Sequence, residues 1–266
     1  MLPDVTSGRT TWDPDLYLDF DEHRARPFLD LLVRVDADAP RHVVDVGCGP
    51  GHLTASLARR WPGARVSAFD SSPDMVAAAR ERGVDAELAD LVDWTPDPDV
   101  DVVITNAVLQ WVPGHPALVA RWVAALPPDG WFAMQVPGNF GAPSHELTRE
   151  VAALPRFRDA AGLRGGDAVG EPHDYAELLA GAGAGYGVEV DVWETTYLQR
   201  LTGDDPVLGW ISGSALRPVR DALDDADYAA FVAELAPRLR VAYPRRPDGS
   251  TWFPFRRLFA VAHRPH

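Results

Sequence analysis

Between residues 43 and 136 the chain alternates short apolar runs with stretches of helical spacing. The runs at 43–46, 65–70, 84–88, 100–106 and 131–136 are rich in Val, Leu, Ile, Phe and Ala and read as strands. Between them, Leu53 and Leu57 lie four residues apart on one helical face, Pro73 opens a helix at its first turn, and 116–126 reads as another helix before the turn Pro127-Pro128-Asp129-Gly130. Strand and helix in alternation, joined by short loops, predict a parallel doubly wound α/β sheet.

The flanks differ. Ahead of the sheet, Asp13 can cap a helix begun by Pro14, and 24–32 reads as a second helix. Aromatic residues there are core in the simplest reading, with Tyr17 and Arg24 as candidates for a flap over a ligand loop. Beyond Gly138, residues 139–172 mix Gly, Pro and Arg irregularly, Arg164-Gly165-Gly166 included, and predict an inserted cap rather than a sheet element. A helix at 174–180, a glycine-rich exit at Gly181, Gly183, Gly185 and Gly187, and a strand at 188–198 follow. Residues 204–243 are helical in pattern, with Tyr228, Phe231, Leu235 and Leu239 spaced by threes and fours, and Pro237 predicts a kink or a boundary. A last strand is expected at 256–262.

With 266 residues, 46% hydrophobic content and nine Trp, the chain can bury a substantial core, and 1–266 reads as a single domain. A net charge of −14 argues against non-specific nucleic-acid binding and against an anionic membrane surface. No apolar run approaches the length of a bilayer span, and no basic-then-apolar leader is visible, so a cytoplasmic monomer with a small-molecule partner is expected. The single cysteine, Cys48, excludes an internal disulfide and a Cys-rich metal site. Wedged between glycines, it reads as a packing residue rather than a nucleophile, since nothing marks a base for it.

The first apolar run ends in Asp45-Val46-Gly47-Cys48-Gly49-Pro50-Gly51, a strand, a glycine turn and a helix in sequence. Glycines at alternate positions open backbone conformations closed to other residues and let a ligand approach the main chain. Dinucleotide sites use G-x-G-x-x-G, whereas Gly47, Gly49 and Gly51 follow G-x-G-x-G. Asp45, just before the glycines, can receive an ammonium group but repels a diphosphate. S-adenosylmethionine carries the ammonium and no phosphate; ordinary turns carry the same short glycine pattern. Asp70 ends the second strand about twenty residues on, where such folds place an acid on the ribose hydroxyls, and Ser71 follows it. Met75 can lie on an adenine face or fill the core. Asp90 can accept from the adenine amine beside the Leu91 N–H, or cap a turn. Asn106 stands at the carboxyl end of a central strand, where open α/β sheets bind ligands.

Taken together, Asp45 to Gly51, Phe69-Asp70-Ser71-Ser72-Pro73, Ala89-Asp90 and Asn106-Ala107-Val108-Leu109-Gln110-Trp111 resemble the motif series of class I S-adenosylmethionine-dependent methyltransferases. The resemblance implies a Rossmann-like seven-stranded sheet with the last strand antiparallel, and a helical cap built from insertions at 139–172 and 199–250. Further stretches, Trp12-Asp13-Pro14, Val190 to Tyr197, Leu216-Arg217-Pro218 and Arg257-Leu258-Phe259, resemble members that esterify a small polycarboxylate. Such an acceptor implies local cations: Arg217 and Arg257, with Trp111, Gln135, His173, Tyr175 and Tyr197 as hydrogen-bonding or walling partners. Tyr197 read blandly is core, and His173 caps its helix. A carboxylate acceptor is already ionised at neutral pH, so no catalytic base is required. Alternatives are another small acid or hydroxyl acceptor, a nicotinamide-dependent oxidoreductase, and a non-enzymatic S-adenosylmethionine sensor.

Overall fold

The computed structural model describes residues 21–160, 163 and 168–266. Tyr17 lies outside the described residues, as does the side chain of Arg24. The strands are β1 (His42–Val46), β2 (Arg65–Asp70), β3 (Ala86–Leu88), β4 (Val102–Asn106), β5 (Trp131–Pro137), β6 (Glu189–Thr202) and β7 (Ser250–His263). They form one seven-stranded sheet in the order β3-β2-β1-β4-β5-β7-β6. Strands β1 to β5 are parallel, and β7 runs antiparallel to both its neighbours. The helices are α1 (Asp21–Leu32), α2 (Thr54–Arg60), α3 (Pro73–Glu81), α4 (His115–Ala125), α5 (Pro143–Ala152), α6 (Pro172–Ala182), α7 (Pro206–Ser212), α8 (Arg217–Ala222) and α9 (Asp225–Ala242).

Successive strand residues point to opposite faces, and both faces are covered, which is why the central strands read as unbroken apolar runs. Val43, Val102, Ile104 and Ala133 pack with Phe28 and Leu31 of α1, Leu57 of α2, Val151 of α5 and the helices α7 to α9. Val44, Val46, Val103, Phe132 and Met134 pack on the other side with Leu118 and Trp122 of α4 and Tyr175 and Leu179 of α6. Ser72 caps α3 by accepting from the Met75 N–H at 3.4 Å, with Pro73 at the first turn.

Three features depart from the sequence reading. Strands β6 and β7 are longer than expected: they stay paired out to Thr202 and Ser250, so the connection between them spans 203–249. The stretch after Gly138 contains a regular helix, α5, begun by Pro143. Finally, α9 runs through Pro237 without a boundary, because Phe231, Leu235 and Leu239 bury an apolar stripe on both sides of it. That stripe offsets the ~3 kcal/mol that an interior proline costs a helix.

These departures matter for what lies above the sheet. Since β5 and β6 run in the same direction, the segments that follow them both leave from the carboxyl edge, where β1 and β4 also end. They meet there: the Ser144 N–H at the start of α5 donates to the Tyr243 hydroxyl just past α9 at 3.0 Å. Trp210, Tyr243, Phe253 and Phe255 fill the space beneath.

Tyr197 of β6 is buried, and its hydroxyl donates to Asp30 Oδ2 of α1 at 2.6 Å, with the Arg26 guanidinium 5.0 Å from the ring centroid. This bond ties the first helix to the sheet's edge strand. Tyr197→Phe is expected to lose about 1–2 kcal/mol in a urea unfolding curve, with an unchanged slope.

Candidate active site

The turn after β1 is built on backbone that only glycine adopts readily. Gly47, Gly49 and Gly51 have φ of +74°, +55° and +76°. A Cβ on Gly47 would overlap both Val108 methyls, and one on Gly51 would come within 2.9 Å of Ala79 and Val84. A Cβ on Gly49 would meet nothing within 4 Å, so a ligand can approach the main chain there. Cys48 is buried, and burial beside Asp45 and Asp70 pushes its thiol far above the usual range. That suits a packing residue.

A cavity of about 430 Å³ opens over this turn, lined among others by Asp45, Gly47, Gly49, Asp70, Ser71, Met75, Asp90, Leu91 and Asn106. Asp45 is 3% exposed, accepts from Thr54 Oγ1 at 2.6 Å, and is pushed up to about 6 by burial. Asp70 accepts from the backbone N–H of Gly49 and of Ser72, each at 2.9 Å, and burial raises its carboxyl too. Asp90 accepts from the Val92 N–H at 3.0 Å, the turn contact weighed against a ligand role. Met75 is buried and also lines the cavity. Three carboxylates and no Arg or Lys line this space among the described residues.

A second cavity of about 300 Å³ shares Asn106, Ala107 and Trp111 with the first. It lies under α5 and α7, and its lining has the opposite sign: Arg149 and Arg257, and no Asp or Glu among the described residues. Ala107, on the shared wall, holds φ +57°, a conformation that costs a non-glycine residue about 1–3 kcal/mol. The side-chain oxygen of Asn106 is buried and has no hydrogen-bond partner among the described residues.

Of the acceptor candidates read from the sequence, Trp111, Gln135 and Arg257 line the second cavity. Arg257 donates to Gln135 Oε1 at 3.5 Å. Arg217 opens α8 beside Pro218, which lines the cavity while Arg217 does not. His173, Tyr175 and Tyr197 are not brought to either cavity. His173 is exposed at the start of α6. The Tyr175 hydroxyl is engaged with His115 Nε2 at 2.9 Å and with the Gly170 N–H at 3.3 Å on the far face of the sheet. Tyr197 is occupied by Asp30. Residues that the sequence reading passed over are Asn139, His145, Thr148, Arg149 and Trp210. Pro143 as a helix opener, followed by His145, Thr148 and Arg149 at helical spacing, is the signal that could have found them.

The family model described as a methyltransferase domain matches residues 43–130. Over 254 residues the chain is 59% identical to a trans-aconitate 2-methyltransferase of Rhodococcus jostii, covering 94% of this chain and 98% of that one. A trans-aconitate 2-methyltransferase of Mycobacterium sp. (strain KMS) is 57% identical over 255 residues, with 94% and 98% coverage. The chain belongs to the trans-aconitate 2-methyltransferase family. Phosphoethanolamine N-methyltransferase 2 of Haemonchus contortus in complex with S-adenosyl-L-methionine shares the fold, with a TM-score of 0.53 at 17% identity, over 91% of this chain and 53% of that one. Members of the family are S-adenosylmethionine-dependent, and the first cavity fits that donor: among the described residues its lining holds carboxylates suited to an ammonium and to ribose hydroxyls, an approachable main chain at Gly49, and no Arg or Lys that would favour a diphosphate.

Gly47→Ala is expected to weaken S-adenosylmethionine binding at least about tenfold in calorimetric titration, because it combines left-handed strain with displacement of Val108. Gly181→Ala, in a helix where the added Cβ would meet no other part of the protein within 4 Å, should leave that affinity unchanged.

Proposed function

We propose that this protein transfers a methyl group from S-adenosylmethionine to one carboxylate of trans-aconitate, giving a monomethyl ester. The observation that carries the reading is the charge partition at Asn106, Ala107 and Trp111: an acidic cavity on one side, a basic one on the other, within a chain of net charge −14. An acidic protein whose acceptor space is lined, among the described residues, by arginines and neutral groups and by no carboxylate selects an anion. When bound, S-adenosylmethionine supplies a methyl carbon on a sulfonium, so that an ionised carboxylate oxygen forms the new C–O bond as the C–S electron pair leaves with sulfur. No proton moves in that exchange, and no general base is needed.

The residues bind, orient and exclude water. Asp45 receives the ammonium, Asp70 with Ser71 the ribose, and Asp90 with Leu91 and Met75 the adenine. Asn106 stands at the shared wall, where its amide NH2 is the group that can donate to a carboxylate. Helices α5, α7, α8 and α9, within the expected cap segments 139–172 and 199–250, cover the acceptor and hold it in a water-poor space against the donor, which can supply several kcal/mol of rate enhancement. No helix among the described residues is long and apolar enough to cross a membrane. A cytoplasmic monomer completes the reading. A nicotinamide-dependent reaction is disfavoured by the carboxylate-lined first cavity, which repels a diphosphate.

Incubation with S-adenosylmethionine and trans-aconitate is expected to yield a product heavier by one methyl, identified as an ester by mass spectrometry; no ester from any small acid would remove the reading. A pH series gives a second check. The ligand's own α-ammonium loses its proton on the alkaline side, and Asp45 loses its charge as pH falls through about 6, so the affinity for S-adenosylmethionine should be greatest near neutrality and drop on acidification. In Asp45→Asn that drop on acidification should be absent and the affinity low throughout.

A further inference from the structure

Helix α5 presents His145, Thr148 and Arg149 at spacings of three and four, and all three line the second cavity. Arg257 enters the same cavity from β7, is 5% exposed, and lies with its guanidinium 4.0 Å from the Phe255 ring centroid. The residues common to both cavities, Asn106, Ala107 and Trp111, carry no charge, and neither arginine reaches the first cavity. Among the described residues the cations therefore line the acceptor side only, while the wall shared with the first cavity is neutral. That separation has a chemical meaning. A carboxylate gripped by a guanidinium fork has its lone pairs engaged and is a poorer nucleophile, whereas a neutral wall can orient it without that loss.

We propose that Arg149 and Arg257 hold the carboxylates that are not methylated, while the reacting carboxylate rests against the uncharged wall of Asn106 and Trp111. This rests on the acceptor reading above and goes beyond it by saying which residues count carboxylates. An acceptor then needs a second carboxylate besides the one that reacts. A monoester re-entering the other way round would set its neutral ester against an arginine, so one methylation is favoured over two. His145 fits beside them as a neutral donor. Burial and the Arg149 charge push its imidazole down to about 4, and its Nδ1 lies 3.2 Å from Ser144 Oγ.

The test is a kinetic cycle between residue and carboxylate. Wild type, Arg149→Gln and Arg149→Lys are assayed on trans-aconitate and on analogues with single carboxylates replaced by carboxamide, with S-adenosylmethionine affinity measured alongside by calorimetry. Arg149→Gln should lower kcat/KM for trans-aconitate by about thirtyfold or more, mainly through KM. On the carboxamide analogue that removes the anchored group, the same change should cost less than about threefold. Arg149→Lys should be intermediate and show the same dependence on acceptor, which keeps the cycle usable if the glutamine variant does not fold. Donor affinity should stay within about twofold in each variant. An equal penalty on every acceptor would make Arg149 a merely structural residue and overturn the assignment, with the acceptor reading intact. Wild-type inactivity on every polycarboxylate would overturn both.

Discussion

At the end of β4 the chain makes one turn, Asn106 to Trp111, that serves as a common wall for two cavities of opposite sign. The surrounding fold holds that wall in place. Gly47 leaves room for the Val108 methyls, the Ala107 N–H donates to the Gln135 carbonyl of β5 at 2.9 Å, and Gln110 donates to the Ala107 carbonyl at 2.6 Å. A side chain on Gly47 would push directly on the turn. The left-handed backbone at Ala107 is held from both sides of its peptide groups, by the Gln135 carbonyl of β5 and by the Gln110 side chain.

Charge segregation of this kind is costly in the empty protein. Asp45 and Asp70 are both buried enough for their carboxyl groups to be raised, and their hydrogen bonds come from Thr54 and from backbone N–H groups, not from a cation. Such groups are destabilising until a positive ligand arrives, and that stored cost becomes selectivity for the ligand. The basic cavity works in the mirror sense. His145, pressed by burial and by Arg149, stays neutral there, so the cavity carries no more positive charge than its arginines supply.

Much of the frame was legible in the chain because local chemistry determined it. Buried parallel strands must be apolar throughout, so β1, β2 and β5 are visible as runs; Pro73 and the glycine turn mark their own positions; and Asp70 lies where a strand-helix-strand unit puts its acid. What failed to show depended on distant partners. Nothing in the sequence around Tyr175 or Tyr197 reveals His115 or Asp30, residues 60 and 167 positions away that occupy their hydroxyls. Helix α5 was hidden for a different reason. Three of its polar residues, His145, Thr148 and Arg149, look inward to a cavity, and its surroundings are rich in Gly and Pro, so composition reads as loop. Likewise, the far ends of β6 and β7 extend past the rest of the sheet, pairing only with each other and packing on aromatic residues such as Trp210 that belong to another segment.

The central claim concerns where two ligands meet, and a crystal structure of the complex with S-adenosylhomocysteine and trans-aconitate tests it most directly. The account predicts the amino group of the homocysteine at Asp45, one carboxylate of the acid against Asn106 and Trp111, and the others at Arg149 and Arg257. Trans-aconitate bound outside the second cavity, or with its arginine-paired carboxylate nearest the sulfur, would contradict it.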